Sequence, residues 1–156
     1  MGAFTYQNEN ASSVARSRLF KAFVLDLNNL LPKVMEGVKI EILEGNGGAG
    51  TVKKTTYPEG GETKYVVERV EAVDEVNYVY NYSVVEGSAL PEGVEKITFE
   101  TKVEEAANGG SLGKASFTYF TKTDAPPSDE VIAAAKAQGN GLFKAVEAYL
   151  LAHPEY

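Results

Sequence analysis

The residues with most chemistry to offer lie between positions 45 and 54. Gly45, Gly47, Gly48 and Gly50 make a glycine-rich loop, in which Gly45, Gly47 and Gly50 keep the G-x-G-x-x-G spacing of a dinucleotide site. Such a loop cradles a pyrophosphate only when a strand leads in and a helix leads out, because the helix's first amides must face the phosphates. Val38-Lys39-Ile40-Glu41-Ile42-Leu43 has strand character, but so does Thr51-Val52-Lys53-Lys54-Thr55-Thr56-Tyr57, which is β-branched and aromatic. No Lys-Ser or Lys-Thr pair directly follows Gly50, as a P-loop requires. The loop therefore reads as a tight turn between two strands. Other reactive groups are few. The chain has no cysteine and a single histidine, His153, which excludes thiol chemistry, disulfides and a histidine-rich metal site. The sequence calls for no metal and no cofactor.

The elements that must position any site are those of one domain, residues 1–156, large enough for a core or for a core wrapped around a cavity. The net charge of −7, with no basic block, argues against nucleic acid and against docking on anionic lipid. No run approaches the roughly 20 apolar residues of a membrane span. The start, Met1-Gly2-Ala3-Phe4-Thr5-Tyr6, shows no basic region followed by an apolar run, so no secretory signal is expected. A cysteine-free chain fits a reducing, cytoplasmic location without demanding one. Nothing argues for an oligomer, and a monomer is expected.

Ala3 to Asn8 alternates and reads as a first strand. Leu19, Phe20, Phe23 and Leu27 then recur at helical spacing after Ser12 or Ser13, and Pro32 is expected near the start of a second short helix ended by Gly37. From Val38 the period becomes two. Strands are expected at Val38–Glu44, Thr51–Pro58, Glu62–Ala72, Val76–Glu86, Val94–Glu105 and Ser111–Lys122, separated by short glycine turns that make consecutive strands antiparallel neighbours. After Pro126-Pro127, Ser128 caps a helix running to about Ala152, with Asp129 and Glu130 in its first turn. Gly139 and Gly141 interrupt its apolar face, either as a tolerated kink or to keep space open beneath the helix.

Tyr78, Tyr80 and Tyr82 alternate along one strand and share a face. Ile97, Phe99, Thr101 and Val103 share another, as do Ala115, Phe117 and Tyr119, opposite charged or polar positions. Tyrosines in a solid core need buried partners for their hydroxyls, whereas a cavity holding water or a ligand supplies them. Pattern alone leaves packing and cavity both open. The strand from Glu62 is ambiguous, with Tyr65 and Val67 on one parity and Val66 and Val70 on the other; if Tyr65 faces in, so does Arg69.

Taken together the motifs resemble the plant pathogenesis-related class 10 proteins, the family of the major birch pollen allergen. The resemblance runs end to end. It includes Leu19-Phe20-Lys21-Ala22-Phe23, Leu31-Pro32-Lys33, the loop Glu44-Gly45-Asn46-Gly47-Gly48-Ala49-Gly50-Thr51, the set Gly87, Leu90, Glu95, Thr98, Asn108-Gly109-Gly110-Ser111, Lys114 and Tyr119, and the ending Lys144 to Pro154. It implies an α+β helix-grip fold: a seven-stranded antiparallel sheet wrapped around a long C-terminal helix, with two short helices closing a large internal cavity. It implies binding of hydrophobic or amphipathic plant small molecules such as flavonoids, cytokinins or fatty acids, in a storage, carrier or defence role. By position, the lining implied is Phe23, Leu30, Tyr57, Tyr65, Val67, Arg69, Tyr80, Tyr82, Phe99, Phe117, Tyr119, Lys136, Gly139, Leu142 and Phe143, with Tyr65 and Arg69 facing in.

The resemblance also brings an alternative, ribonuclease activity, whose candidates would be Glu95, Glu147 and Tyr149, with Lys53 and Lys54 near the glycine loop. A biosynthetic enzyme would need an inward lysine, for which Lys136 is the candidate. Ala49 stands where the family usually has proline, Arg16 likewise, and Phe120 and Thr123 replace a histidine and a glycine. Ligand preference is therefore not carried over.

Overall fold

Period-two patterning from end to end becomes a single antiparallel sheet. The computed structural model describes residues 1–156. Its strands are β1 (Gly2–Ser12), β2 (Lys39–Glu44), β3 (Val52–Glu59), β4 (Glu62–Asp74), β5 (Val79–Glu86), β6 (Val94–Glu105) and β7 (Ser111–Thr121). They lie in the order β1-β7-β6-β5-β4-β3-β2, so every neighbour but one is a chain neighbour, and β1 completes the sheet against β7. The helices are α1 (Arg16–Phe20), a π-helical turn (Lys21–Leu25), α2 (Leu27–Val34) and the long α3 (Asp129–Ala152).

Ser128 caps α3, its hydroxyl accepting the Val131 amide at 3.2 Å, with Asp129 and Glu130 favourable in the first turn. Burial then fixes α3 at two places. Near its start Ile132 joins Val84, Val94, Ile97, Phe117 and Tyr119. Near its end Val146 and Leu150 are wholly buried against Val14, Leu19, Ala22 and Leu30. The tail is tied down as well. Arg18 donates to the carbonyls of Leu150 and His153, each at 2.9 Å, and the Tyr156 hydroxyl donates to the Asp26 carboxylate.

Local structure departs from sequence expectation in three places. The first helical segment is not one α-helix: after Phe20 the Asp26 amide reaches back five residues to the Lys21 carbonyl at 2.8 Å. Pro32 lies within α2 rather than at its start; the bond it forgoes would have used the carbonyl of Asn28, an exposed residue whose carbonyl water can satisfy. Tyr78 does not belong to β5. Its backbone is left-handed (φ 58°), and its ring meets Phe20 edge-on at 5.5 Å with the Arg16 guanidinium 4.4 Å from its centre.

The glycine loop joins β2 to β3, strand to strand. Its amides are already engaged: Gly47 donates to the Thr51 hydroxyl (2.8 Å), Gly48 to the Asn46 side chain (3.2 Å) and Gly50 to the Val70 carbonyl (2.8 Å). Those three amides are thereby engaged within the protein. Gly45 has φ 91°, and a Cβ there would lie 2.7 Å from the Thr51 Cα, so only glycine fits. Gly87 is tighter still: its φ is 145°, and a Cβ would fall 2.3 Å from the Tyr65 carbonyl oxygen.

Replacing Gly87 by alanine should destabilise the fold by roughly 2–3 kcal/mol through backbone strain and overpacking, read as a lower urea midpoint with an unchanged slope. A second expectation concerns pH. The hydrogen bond from Tyr156, then that from Asn29, holds the Asp26 carboxyl below its ordinary 3.8. A carboxylate depressed in the folded state contributes stability above 3.8 that is lost as pH falls through the folded value. Tyr156→Phe should therefore cost about 1 kcal/mol at neutral pH, a modest figure because Asp26 is partly solvated. Urea titrations of the two proteins should converge in strong acid.

Candidate functional site

The inward side of the sheet carries a row of rings set by register. Tyr82 pairs with Phe99, Phe99 with Phe117, and Phe117 with Tyr6, so one ring from each of β5, β6, β7 and β1 lies side by side. Centroids are 4.6, 5.7 and 5.8 Å apart along the row. Tyr80 stacks on Tyr82 at 5.1 Å, and Tyr119 meets Phe117 at 6.0 Å. Such contacts favour an ordered row over a fluid one.

Opposite the row runs α3. Gly139 lies seven residues after Ile132 and seven before Val146, which places it on the inward stripe. Yet Gly139 is exposed, and a Cβ there would meet nothing within 4 Å. Lys136, Leu142 and Phe143 are only half-buried. At the helical end Phe143 stacks on Phe23 of the π-helical turn at 5.6 Å, and Leu30 of α2 is buried beside them. Polar groups also reach across. Asn8 of β1 donates to Asn140 at 2.9 Å, and the Tyr57 hydroxyl faces Gln138.

Two ionisable residues share this side, where the sequence reading places neither. Lys53 of β3 and Glu68 of β4 are directly opposite in the register, on the same face as Tyr57 and Val66. Lys53 is 7% exposed, its nitrogen 6.0 Å from the centre of the Tyr80 ring. No ion pair within 4.0 Å joins it to Glu68. Burial raises the Glu68 carboxyl above its ordinary value, with Lys53 opposing. Burial likewise pushes up the phenols of Tyr80, Tyr82 and Tyr119. In the sequence, Lys53-Lys54 offered only a charged pair; the alternation of β3 would have turned one of them inward.

The hydroxyls of Tyr6, Tyr80, Tyr82 and Tyr119 have no hydrogen-bond partner in the protein. Fully enclosed side-chain polar atoms without partners reduce to one, Oδ1 of Asn81 on the outer side. The unpaired tyrosine hydroxyls, the Lys53 nitrogen and the Glu68 oxygens therefore border accessible space, although burial dominates the titration of Glu68 and Tyr82 deep in the fold.

Three residues expected inside face the other way. Tyr65, Val67 and Arg69 lie on the outer side of β4, because the register sends Val66, Glu68 and Val70 inward. Lys54 extends over the Tyr65 ring at 4.8 Å, on that outer side. Arg69 is half-exposed and donates through Nε to Glu71 at 3.0 Å, and Ser83 donates to the same oxygen at 3.1 Å. These groups border an outer depression of about 410 Å³, alongside Lys96 and Glu100. A smaller one, about 200 Å³, lies beside Pro91 and Pro126 at the end of the sheet. Both are surface features whose charged or proline-rich linings offer an apolar ligand little.

The ribonuclease candidates do not converge. Val94, the neighbour of Glu95, packs in the cluster of Ile132, whereas Glu147 lies fifteen residues further along α3, roughly 22 Å at 1.5 Å per residue. Tyr149 stacks on His153 at 4.0 Å and meets Tyr156 edge-on, packed in the end cluster. No cluster of three or more acidic or histidine side chains could hold a metal. No helix is long and apolar enough to cross a membrane.

Comparison with known proteins agrees with this architecture. Class-10 pathogenesis-related protein 1 of Medicago truncatula is 55% identical over 157 residues, covering all of both chains. Class 10 plant pathogenesis-related protein 2E of Lupinus luteus is equally similar over the same span. The crystal structure of Ara h 8.0201 superposes with a TM-score of 0.89 at 47% identity, covering 97% of this chain and 99% of that one. The profile of the Pathogenesis-related protein Bet v 1 family matches residues 1–153, and the chain belongs to that family.

Proposed function

We propose that the space between the aromatic row and α3 is a chamber for a hydrophobic or amphipathic plant small molecule, and that the protein serves as a defence-related carrier or store. The observation that carries this reading is the set of tyrosine hydroxyls, with Lys53 and Glu68, left without protein partners yet bordering accessible space. A solid core would leave each such hydroxyl orphaned at about 1–3 kcal/mol; a ligand or water removes that cost. The open position beneath Gly139 and the names of the class-10 relatives support the same reading.

The lining has the composition such a site needs: mostly rings, with a few polar groups to orient the occupant. A flat ligand such as a flavonoid or a cytokinin would lie along Tyr82, Phe99 and Phe117. Its polar end would be directed to Lys53, Glu68 and Tyr80 rather than to Arg69, which faces outward. Burying about 300 Å² of apolar ligand surface is worth about 7 kcal/mol gross, and lost mobility takes back a large part. Affinity of micromolar order and loose selectivity follow.

Filling the space from the helix side separates binding from folding. Gly139→Leu should raise stability by up to about 1 kcal/mol through helix propensity, while weakening an environment-sensitive apolar fluorophore by about tenfold or more. Gly141→Ala, on the outer side of the same turn, should stabilise similarly and leave binding unchanged. Fluorescence titration with a flavonoid as competitor measures both. Equal binding by wild type and Gly139→Leu would count against the chamber, as would no saturable binding to wild type.

A further inference from the structure

The geometry points to Lys53 as an amine that condenses with aldehyde ligands inside the chamber, forming an imine with Glu68 as the proton donor. This rests on the ligand-binding reading and adds covalent chemistry to it. Four observations lead there. Lys53 is the one lysine among the buried residues, whereas a lysine that only solubilises the surface keeps its head in bulk water. Its nitrogen has no hydrogen bond and no ion pair, so nothing in the protein occupies its lone pair once the proton is gone. It borders accessible space rather than being walled in. Directly opposite in the strand register stands Glu68, also without a hydrogen-bond partner.

The environment sorts the two roles. Burial favours the uncharged carboxyl of Glu68, which makes it a donor of a proton rather than a permanent counter-ion. The Tyr80 ring beside Lys53 gives an aromatic aldehyde a surface to stack on, with Tyr82 next in the row. An unpaired lysine amine beside an aromatic wall is placed to act as a nucleophile toward a bound carbonyl. A ligand carboxylate would suit Lys53 alone and would face Glu68 across the same gap; an aldehyde uses both residues.

The steps balance without an added reagent. Lys53 first gives its ammonium proton to water in the bordering space, and the free amine then attacks the carbonyl carbon. A C–N bond forms, the C=O π pair moves to oxygen, and the proton displaced from nitrogen ends on that oxygen, giving a carbinolamine. Glu68 then protonates the hydroxyl, the C–O bond breaks, and water leaves. The resulting Glu68 carboxylate takes the remaining N–H proton, which leaves a neutral imine and restores the acid. The net change is amine plus aldehyde to imine plus water.

The test uses the intact protein with 6-methoxy-2-naphthaldehyde and sodium cyanoborohydride, which reduces an imine to a stable secondary amine. Peptide mapping should find Lys53 modified at least about tenfold faster than the exposed Lys102 and Lys144, the advantage of a positioned reactant. Glu68→Gln should slow labelling of Lys53 without slowing the exposed lysines. Lys53→Met should remove the fast phase, and a competing flavonoid should suppress it in wild type. Displacement of an apolar fluorophore by the aldehyde, without reductant, reports binding separately. Displacement with Lys53 labelled no faster than the exposed lysines would overturn the imine and leave the carrier reading standing. Fast labelling unaffected by Glu68→Gln would overturn the role of Glu68. No displacement and no fast labelling would overturn both readings.

Discussion

The structure depends on how one helix is held. α3 is anchored by Ile132 at one end and by Val146 and Leu150 at the other, with Arg18 clasping its final carbonyls. Between those anchors its inward stripe passes Gly139, where no side chain meets it. A helix whose apolar anchors lie near its ends, with Asn140 bonded to Asn8 between them, can stand off the sheet along the rest of its span. One packed along its whole length would bring its side chains down onto the rings of β5, β6 and β7. The apolar burial that stabilises the fold is accordingly divided. The fully buried apolar residues fall in three clusters of six, six and three, bridged by the half-buried Tyr82 and Val103.

That division explains the unusual treatment of polar groups. Interiors normally pair every buried hydroxyl and charge. Here Tyr80, Tyr82, Lys53 and Glu68 converge on one region and share no hydrogen bonds, while polar groups at the ends are closely matched. Ser111 donates to the Val14 carbonyl at 2.7 Å, and Thr51 accepts from Gly47. The contrast is between places that must be solid and a place that need not be. Strand irregularities take part in making it. A bulge leaves Glu71 as an extra residue on β4, so that Val70 and Val73 both turn inward while Arg69 and Glu71 meet on the outer side.

Much of this was legible in the sequence wherever one signal dominated. β6 was readable at both ends because Ile97, Phe99 and Val103 alternate cleanly with charged residues between a glycine turn and Asn108-Gly109-Gly110. α3 was readable because Ser128 follows two prolines and precedes two acids. β4 was not, since both of its faces carry valines, and alternation cannot choose a face when both are apolar. Register chooses it, and register is a property of the partner strand. Lys53 was missed for the same reason: nothing in Lys53-Lys54 says which lysine turns inward until Glu68 is placed opposite one of them. The π-helical turn lacks a local cue altogether, because Lys21 to Leu25 would suit an ordinary helix equally well.

The two glycines in the middle of α3 acquire a physical meaning from the anchoring rather than from their own contacts. Neither is required sterically, since neither has a positive φ and neither would bring a Cβ against a neighbour. Each nevertheless costs the helix about 1 kcal/mol relative to alanine. Placed near an anchor, that cost would be masked by packing. Placed at mid-span, away from both apolar anchors and beside the Asn8–Asn140 hydrogen bond, it makes that stretch the part of the helix that distorts at least expense. The apolar stability of the helix is thus concentrated near its two ends.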